Sequence, residues 1–250
     1  MSKMKKVVVI GGTGLIGSKA VKLLQDAGHE AVVASSRNGI NAYTGAGLEE
    51  ALAGADALID VSNMMSFDKA VITEFFGTSS RNLTNAEKAA GVRHHVVLSI
   101  VNADQLAANP YMAGKLAQEE AVATSGQAFT VVRATQFHEF TETLVGAYSV
   151  DGAVKVPDID FQPIAGDDVA AALVEAALGG PKNGTVDLAG PERGPFESFI
   201  RTYLDAKSDA RPVNADAAVD YFGAPVVTGS LVPVGDYLKG AITIAEWLRT

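Results

Sequence analysis

The sequence predicts an α/β fold of the Rossmann type: a doubly wound parallel sheet, helices on both faces, and a small C-terminal substrate lobe. Three observations carry this expectation. Short runs rich in β-branched residues alternate with segments of helical periodicity. The run at residues 6–10 is continuously β-branched after Lys6, as expected for a strand covered on both faces. The same run, Val7-Val8-Val9-Ile10, leads straight into glycines and then into a helical pattern.

Taken in order, residues 6–10 read as the first strand. Residues 14–27 follow as a helix, with Leu15, Ile16, Ala20, Leu23 and Leu24 at helical spacing and Gly28 placed to close it. Residues 30–34 are the next strand, 48–53 a short helix and 57–61 a third strand. Two helices are expected, at 67–76 and 80–90, with Gly91 ending the second. A strand spans 95–101. The helix at 110–124 carries Pro110 at its N-terminal position and Asn109 as its cap. Residues 129–133 are another strand. Beyond Thr135 short elements mix with glycine and proline; helices are expected at 168–178 and 196–206 and a strand at 185–188. The chain reads as a single domain, 1–250, with the Rossmann core at 1–134 and the remaining sheet elements and substrate lobe at 135–250. Right-handed crossovers bring the C-terminal ends of the strands to one edge, where the residues just after each strand line a ligand crevice.

Composition narrows the function. A chain of 250 residues with 48% hydrophobic content can bury a large core. The absence of cysteine excludes disulfides, thiolate metal sites and cysteine nucleophiles. A net charge of -9 argues against binding to nucleic-acid backbones or anionic membranes. No apolar run approaches the roughly 20 residues of a spanning helix. The basic start, residues 1–6, precedes only four apolar residues before glycine, so it reads as the lead into a buried strand rather than a secretory leader, and the protein as cytoplasmic. A monomer or homodimer acting on a small molecule is expected. Of the four histidines, His94 and His95 face opposite ways on a strand, and no spacing suggests a metal.

The loop Gly11-Gly12-Thr13-Gly14-Leu15-Ile16-Gly17 lies between the first strand and the first helix, the setting that a dinucleotide-binding loop requires. Glycines let the backbone turn tightly and approach a diphosphate, and the helix N-terminus adds partial positive charge. At the end of the second strand an NAD-preferring site usually carries a carboxylate. Here Ser35, Ser36 and Arg37 follow Ala34, a set suited to a 2′-phosphate, so NADPH (NADP+) is the expected cofactor.

Tyr111 and Lys115 are four apart on one predicted helix and share a face. Ser99 lies near the end of the preceding strand. Reducing a carbonyl leaves an alkoxide that needs a proton; Tyr111 can supply it, with its pKa lowered by the Lys115 ammonium. Ser99 can bond the substrate oxygen, and Lys115 can also hold the nicotinamide ribose. Gln136, Phe137 and His138 follow the strand at 129–133 and are candidates for substrate binding, against a plain loop-packing role. Ser62 and Asn63 follow the strand at 57–61, where their backbone passes the adenine-side ribose or simply turns. Asn82 reads as a structural hydrogen-bonder, Asp168 as a helix N-terminal charge, Trp247 as the anchor of the C-terminal helix, and residues 221–234 as a lid or as packing for the lobe.

With these residues in place the chain resembles the short-chain dehydrogenase/reductase superfamily, most of all its atypical, NmrA-like and NAD(P)H-binding branch. The resemblance is carried by the glycine loop, Leu98-Ser99, Tyr111 with Lys115, the segment from Val132 through Arg133, Ala134 and Thr135 to Gln136 and Phe137, and Pro163-Ile164 with Asp167-Asp168-Val169-Ala170. It implies a nicotinamide cofactor and a reductase or quinone-reductase activity. By that resemblance Gly11, Gly14 and Gly17 match the diphosphate loop, Arg37 the 2′-phosphate reader, and Ser99, Tyr111 and Lys115 the catalytic set. The leading expectation is an NADPH-dependent oxidoreductase acting on a small carbonyl, enone or quinone, with Tyr111 as proton donor. The alternative is a non-catalytic NADP(H) redox sensor, since some atypical members bind the cofactor without turnover. An epimerase or dehydratase normally needs a sugar-nucleotide pocket, for which the C-terminal half offers no evident diphosphate clamp.

Overall fold

The computed structural model describes residues 4–250; residues 1–3 of the basic start lie outside it. The first half runs β1 (Lys6–Ile10), α1 (Leu15–Asp26), β2 (Glu30–Ala34), α2 (Leu48–Leu52), β3 (Ala57–Asp60), α3 (Lys69–Ala90), β4 (His95–Ile100), α4 (Pro110–Ala123) and β5 (Phe129–Ala134). The second half adds α5 (Thr141–Ala147), β6 (Ser149–Val150), β7 (Ala153–Pro157), β8 (Asp160–Phe161), α6 (Gly166–Leu178), β9 (Gly184–Ala189), β10 (Gly194–Pro195), α7 (Phe196–Ala206), β11 (Val213–Asp216), β12 (Tyr237–Lys239) and α8 (Ile244–Trp247).

Seven strands form one parallel sheet in the order β12-β9-β5-β4-β3-β1-β2. Alternate residues of each strand serve opposite faces. Val7, Val9 and Ile59 pack with α1 and α6, while Val8, Ile10 and Leu58 pack with α2 and α3. Both faces are buried, which is why β1 reads as an unbroken apolar run after Lys6. The chain lays β2 on one side of β1 and then returns to place β3 on the other. This reversal opens a crevice beyond the C-terminal ends of β1 and β3.

In the second half α5, β6, β7, β8, β10, β11 and β12 were not assigned from the sequence, and in the first half one element differs from expectation. The segment read as two helices, 67–76 and 80–90, is a single helix of 22 residues. Phe67 precedes it, and Asp68 caps it by accepting from the N–H groups of Ala70 and Val71 at 2.8 and 3.2 Å. A mid-helix glycine such as Gly77 costs about 1 kcal/mol. Ile72, Phe76 and Leu83 are fully buried on the same helix, and each such side chain contributes about 1.5–3 kcal/mol. Tertiary burial therefore carries the helix through its weak centre.

The C-terminal lobe has its own core. Phe161 stacks on Phe196 with ring centroids 4.2 Å apart, and Leu144, Val154, Ile200 and Leu231 close around them. Strands β6, β7 and β11 form a small sheet, and β8 pairs with β10. Tyr221, Ala224, Leu231 and Val232 are buried, so much of the 221–234 segment packs the lobe to the sheet domain. Among the described residues no helix is long and apolar enough to cross a membrane.

Candidate cofactor and active site

The glycine loop is held by its main chain. The N–H groups of Gly11 and Gly12 donate to the Ala34 carbonyl at 2.9 and 3.3 Å, and Gly14 N–H donates to the Gly11 carbonyl at 2.9 Å. Gly11 adopts φ +78°, and a Cβ there would lie 2.7 Å from the Val61 carbonyl oxygen. A Cβ on Gly17 would lie 2.2 Å from the Gly11 carbonyl oxygen. These positions exclude side chains because main chain already fills the space. Thr13, Gly14 and Leu15 are exposed at the crevice, whereas Ile16 and Gly17 are buried beneath. Helix α1 starts at Leu15 with no side-chain cap and no acid in its first turn. Its first N–H groups therefore present an unneutralised anion seat.

Ser35 is half-buried and Ser36 and Arg37 are exposed, in a 3-10 turn that follows β2. The Ser35 N–H donates to Asn38 Oδ1 at 2.9 Å, and the Ser35 hydroxyl donates to the same oxygen at 3.3 Å. Asn38, not foreseen from the sequence, thus fixes the turn that carries Arg37.

Beyond β3, Ser62 N–H donates to Asp60 Oδ1 at 2.9 Å, and the Ser62 hydroxyl is buried with no hydrogen-bond partner among the described residues. Asn63 accepts from the Tyr111 hydroxyl at 2.8 Å. The loop after β3 is therefore tied to α4.

Helix α4 carries Tyr111 and Lys115. Asn109 caps it by accepting from the Tyr111 and Met112 N–H groups at 2.8 and 3.3 Å. The two side chains enter different networks. Burial pushes the Tyr111 phenol up to about 12, the reverse of the lowering expected from a neighbouring ammonium. Lys115 is buried and donates to Gln118 Oε1; Gln118 Nε2 donates in turn to Asp60 Oδ2 at 2.7 Å. Burial brings the Lys115 ammonium down to about 8, against the opposing charges of Asp60 and Glu119. Phe76 lies between the two networks, edge-on to Tyr111 at 6.0 Å, with the Lys115 nitrogen 4.7 Å from its ring centre. Ser99 is buried and its hydroxyl has no hydrogen-bond partner among the described residues. Alternation along β4 with Val97, which packs on Val122, puts Ser99 on the sheet face that α4 covers. The three residues thus share one side of the sheet without a hydrogen bond joining them.

Past β5, Gln136 is buried beside the Tyr221 hydroxyl, with its side-chain oxygen unpartnered among the described residues. Phe137 packs on the cluster under α1 and α6. His138 stacks on Trp247 at 5.5 Å, and burial lowers its pKa. Asn82 donates to the Ala42 and Tyr43 carbonyls at 3.0 and 2.8 Å. Asp168, read as a helix charge, also accepts from the Ala241 and Ile242 N–H groups, both at 2.9 Å. Besides Asn38, two residues with no role in the sequence reading enter the site: Asp60 and Gln118. The available signals were a carboxylate ending a strand and the 111-115-118 spacing on one helix face.

A side-chain-free loop at the reversal point of a parallel sheet is the arrangement of a dinucleotide-binding α/β protein of the Rossmann type. The NAD(P)H-binding family model matches residues 11–178, and the chain belongs to that family. A 159-residue stretch is 30% identical to the photosystem II assembly factor Ycf39 of a Synechocystis species, covering 58% of this chain and 48% of that protein. The chain thus spans about half the length of that curated relative. The Bordetella bronchiseptica enzyme WbmH in complex with NAD+ superposes with a TM-score of 0.70 at 18% identity, over 92% of this chain and 90% of that one. A new type of NADPH-dependent quinone oxidoreductase from Escherichia coli gives a TM-score of 0.69 at 18% identity, over 97% and 98%. At these identities the structural likeness is one of fold.

Proposed function

We propose that the chain is an NADPH-dependent oxidoreductase that reduces a small carbonyl, enone or quinone. The glycine loop carries this reading: positions 11 and 17 have no room for a Cβ, and the exposed loop runs into a helix start free of negative charge. The exposed Arg37 supports recognition of a 2′-phosphate. A structural neighbour described as an NADPH-dependent quinone oxidoreductase supports the substrate class. Gly11, Thr13, Gly14, Leu15, Ile16 and Gly17 hold the diphosphate, Ser35, Ser36 and Arg37 the 2′-phosphate, and Ser62 and Asn63 pass the ribose. Bound NADPH supplies the hydride.

Tyr111 gives the proton. A phenol pushed up to about 12 is protonated at neutral pH and remains a stronger acid than an alcohol, so transfer to a developing alkoxide is favourable. Ser99 has a free hydroxyl to bond the substrate oxygen. Lys115 supplies positive charge near the nicotinamide ribose. Gln136 offers its free oxygen to the substrate, Phe137 walls the pocket, and His138 supports both from its place under Trp247. The test is NADPH consumption against a panel of carbonyls, enones and quinones. Tyr111→Phe is expected to lower kcat at least about 10²-fold with little change in NADPH affinity. Full activity in that variant removes Tyr111 as the donor.

A second reading, a redox-sensing NADP(H)-binding protein, is favoured by one observation. Tyr111 is bonded to Asn63 and Lys115 to Gln118, so the pair is uncoupled. It predicts tight cofactor binding, no turnover across the panel, and a partner whose affinity follows the cofactor's oxidation state.

A further inference from the structure

Lys115, Gln118 and Asp60 form a closed chain inside the protein. Gln118 lies three residues after Lys115 on α4, and Asp60 ends β3. Asp60 and Gln118 are fully buried and Lys115 nearly so. A carboxylate can only accept, so Asp60 Oδ2 obliges Gln118 to turn its Nε2 inward; Gln118 Oε1 is then left to face the ammonium. The second Asp60 oxygen is fixed by the Ser62 N–H, which anchors the chain to the loop after β3. A buried ammonium needs compensation, and among the described residues the ring against it is Phe76 of α3.

We propose that Asp60 and Gln118 are positioning residues for Lys115: the carboxylate sets the direction of the amide, and the amide oxygen holds the ammonium in place. The inference rests on the reductase reading only for what Lys115 does to the cofactor. The groups that bear on the ammonium are Asp60 from β3, Glu119 on its own helix and the Phe76 face from α3. His95 of β4 also senses the charge of Asp60. Gln118 carries no charge, so it acts through orientation and hydrogen bonding.

The test follows the Lys115 ammonium directly, by NMR of the full chain carrying 15N at lysine side chains, with Lys115→Met giving the assignment. Gln118→Met keeps the shape and removes both bonds. Its Lys115 midpoint is expected to fall by about one unit or more, as befits loss of a charge-assisted hydrogen bond. Asp60→Asn frees the amide to turn over and should shift the midpoint in the same direction. Gln118→Glu brings an anion to the ammonium and should return the midpoint to the wild-type value or above. NADPH affinity, read by cofactor fluorescence, should weaken several-fold in Gln118→Met. A midpoint unmoved in folded Gln118→Met and Asp60→Asn overturns the proposal. Should those variants not fold, the wild type decides: Gln118 amide protons that exchange freely with water also overturn it, and slowly exchanging ones uphold it. If the midpoint moves while NADPH affinity does not, the positioning stands and the cofactor role of Lys115 falls.

Discussion

Arg37 stands at a place where a carboxylate would select NADH, and among the described residues it makes no ion pair. A charge-assisted bond to a phosphate is worth about 1.5–3 kcal/mol, or roughly 10- to 100-fold in affinity. Arg37→Ala should therefore lose that much NADPH affinity and leave NADH affinity unchanged, as measured by fluorescence titration of both cofactors. Two buried histidines give a second expectation. Burial and then the neighbouring His95 charge bring His94 down to about 4. A base depressed on folding contributes stability that is present above its ordinary value of about 6.5 and lost as the pH falls toward 4. Burial would also lower His95, but the charge and hydrogen bond of Glu87, 2.9 Å away, with the charge of Asp60, hold it above its ordinary value. Its contribution is complete below about 6.5 and lost as the pH rises through the raised value. Urea midpoints at about pH 5, 6.5 and 9 should show a maximum, with Glu87→Gln removing the alkaline decline and His94→Gln softening the acid one. The sequence placed both histidines on a strand with opposed side chains. It offered no view of Glu87, because that contact depends on how α3 lies over β4.

Helices α3 and α4 are set by Gly114. A Cβ there would lie 2.8 Å from Phe76 Cδ2 and 3.0 Å from Ile72 Cγ1, so the glycine admits α3 at this distance. Alanine gains about 1 kcal/mol of helix propensity, while overpacking costs about 1–3 kcal/mol, so Gly114→Ala should be neutral to destabilising by up to about 2 kcal/mol rather than stabilising. Urea denaturation measures this, and clear stabilisation would contradict the packing argument. At this scale strands β1 to β5 and α1 were legible because runs rich in β-branched residues and a glycine loop are local signals, whereas β6, β7, β8, β10, β11 and β12 carry no such runs. The continuity of α3 was not: Gly77-Thr78-Ser79 reads locally as a break, and only burial against α4 and the sheet overrides it. The same limit applies to the site. The 111-115 spacing was visible, but the direction each side chain takes depends on Asn63 and Gln118, and Asp60 lies 58 residues from Gln118.

The sheet domain and the C-terminal lobe are joined by a few side chains that cap main chain. Asn102, at φ +55°, donates to the carbonyls of Gly229, Ser230 and Val232 at 3.2, 3.3 and 2.8 Å. Asp168 does the converse for Ala241 and Ile242, and Trp247 stacks between His138 and Tyr203. These contacts join positions more than 40 residues apart, so no local pattern announced them. Asn102→Ala should leave the central sheet protected and speed hydrogen exchange around residues 229–232, as read by mass spectrometry of peptic fragments. Unchanged exchange there would mean that the buried Tyr221 and Leu231 hold the segment by themselves.

The glycines of this molecule fall into two genetic kinds. What stands closest against a methyl group at Gly114 is the side chains of Phe76 and Ile72, with the Ile72 carbonyl oxygen next at 3.3 Å, and side chains can be exchanged. A chain crippled at that position is open to rescue by a smaller residue at 76. What stands against one at Gly11 or Gly17 is the carbonyl of Val61 or of Gly11 itself, which every amino acid carries. No substitution elsewhere removes those atoms. A search for suppressors should recover revertants of Gly114 lesions at second sites, and of Gly17 lesions almost only at codon 17.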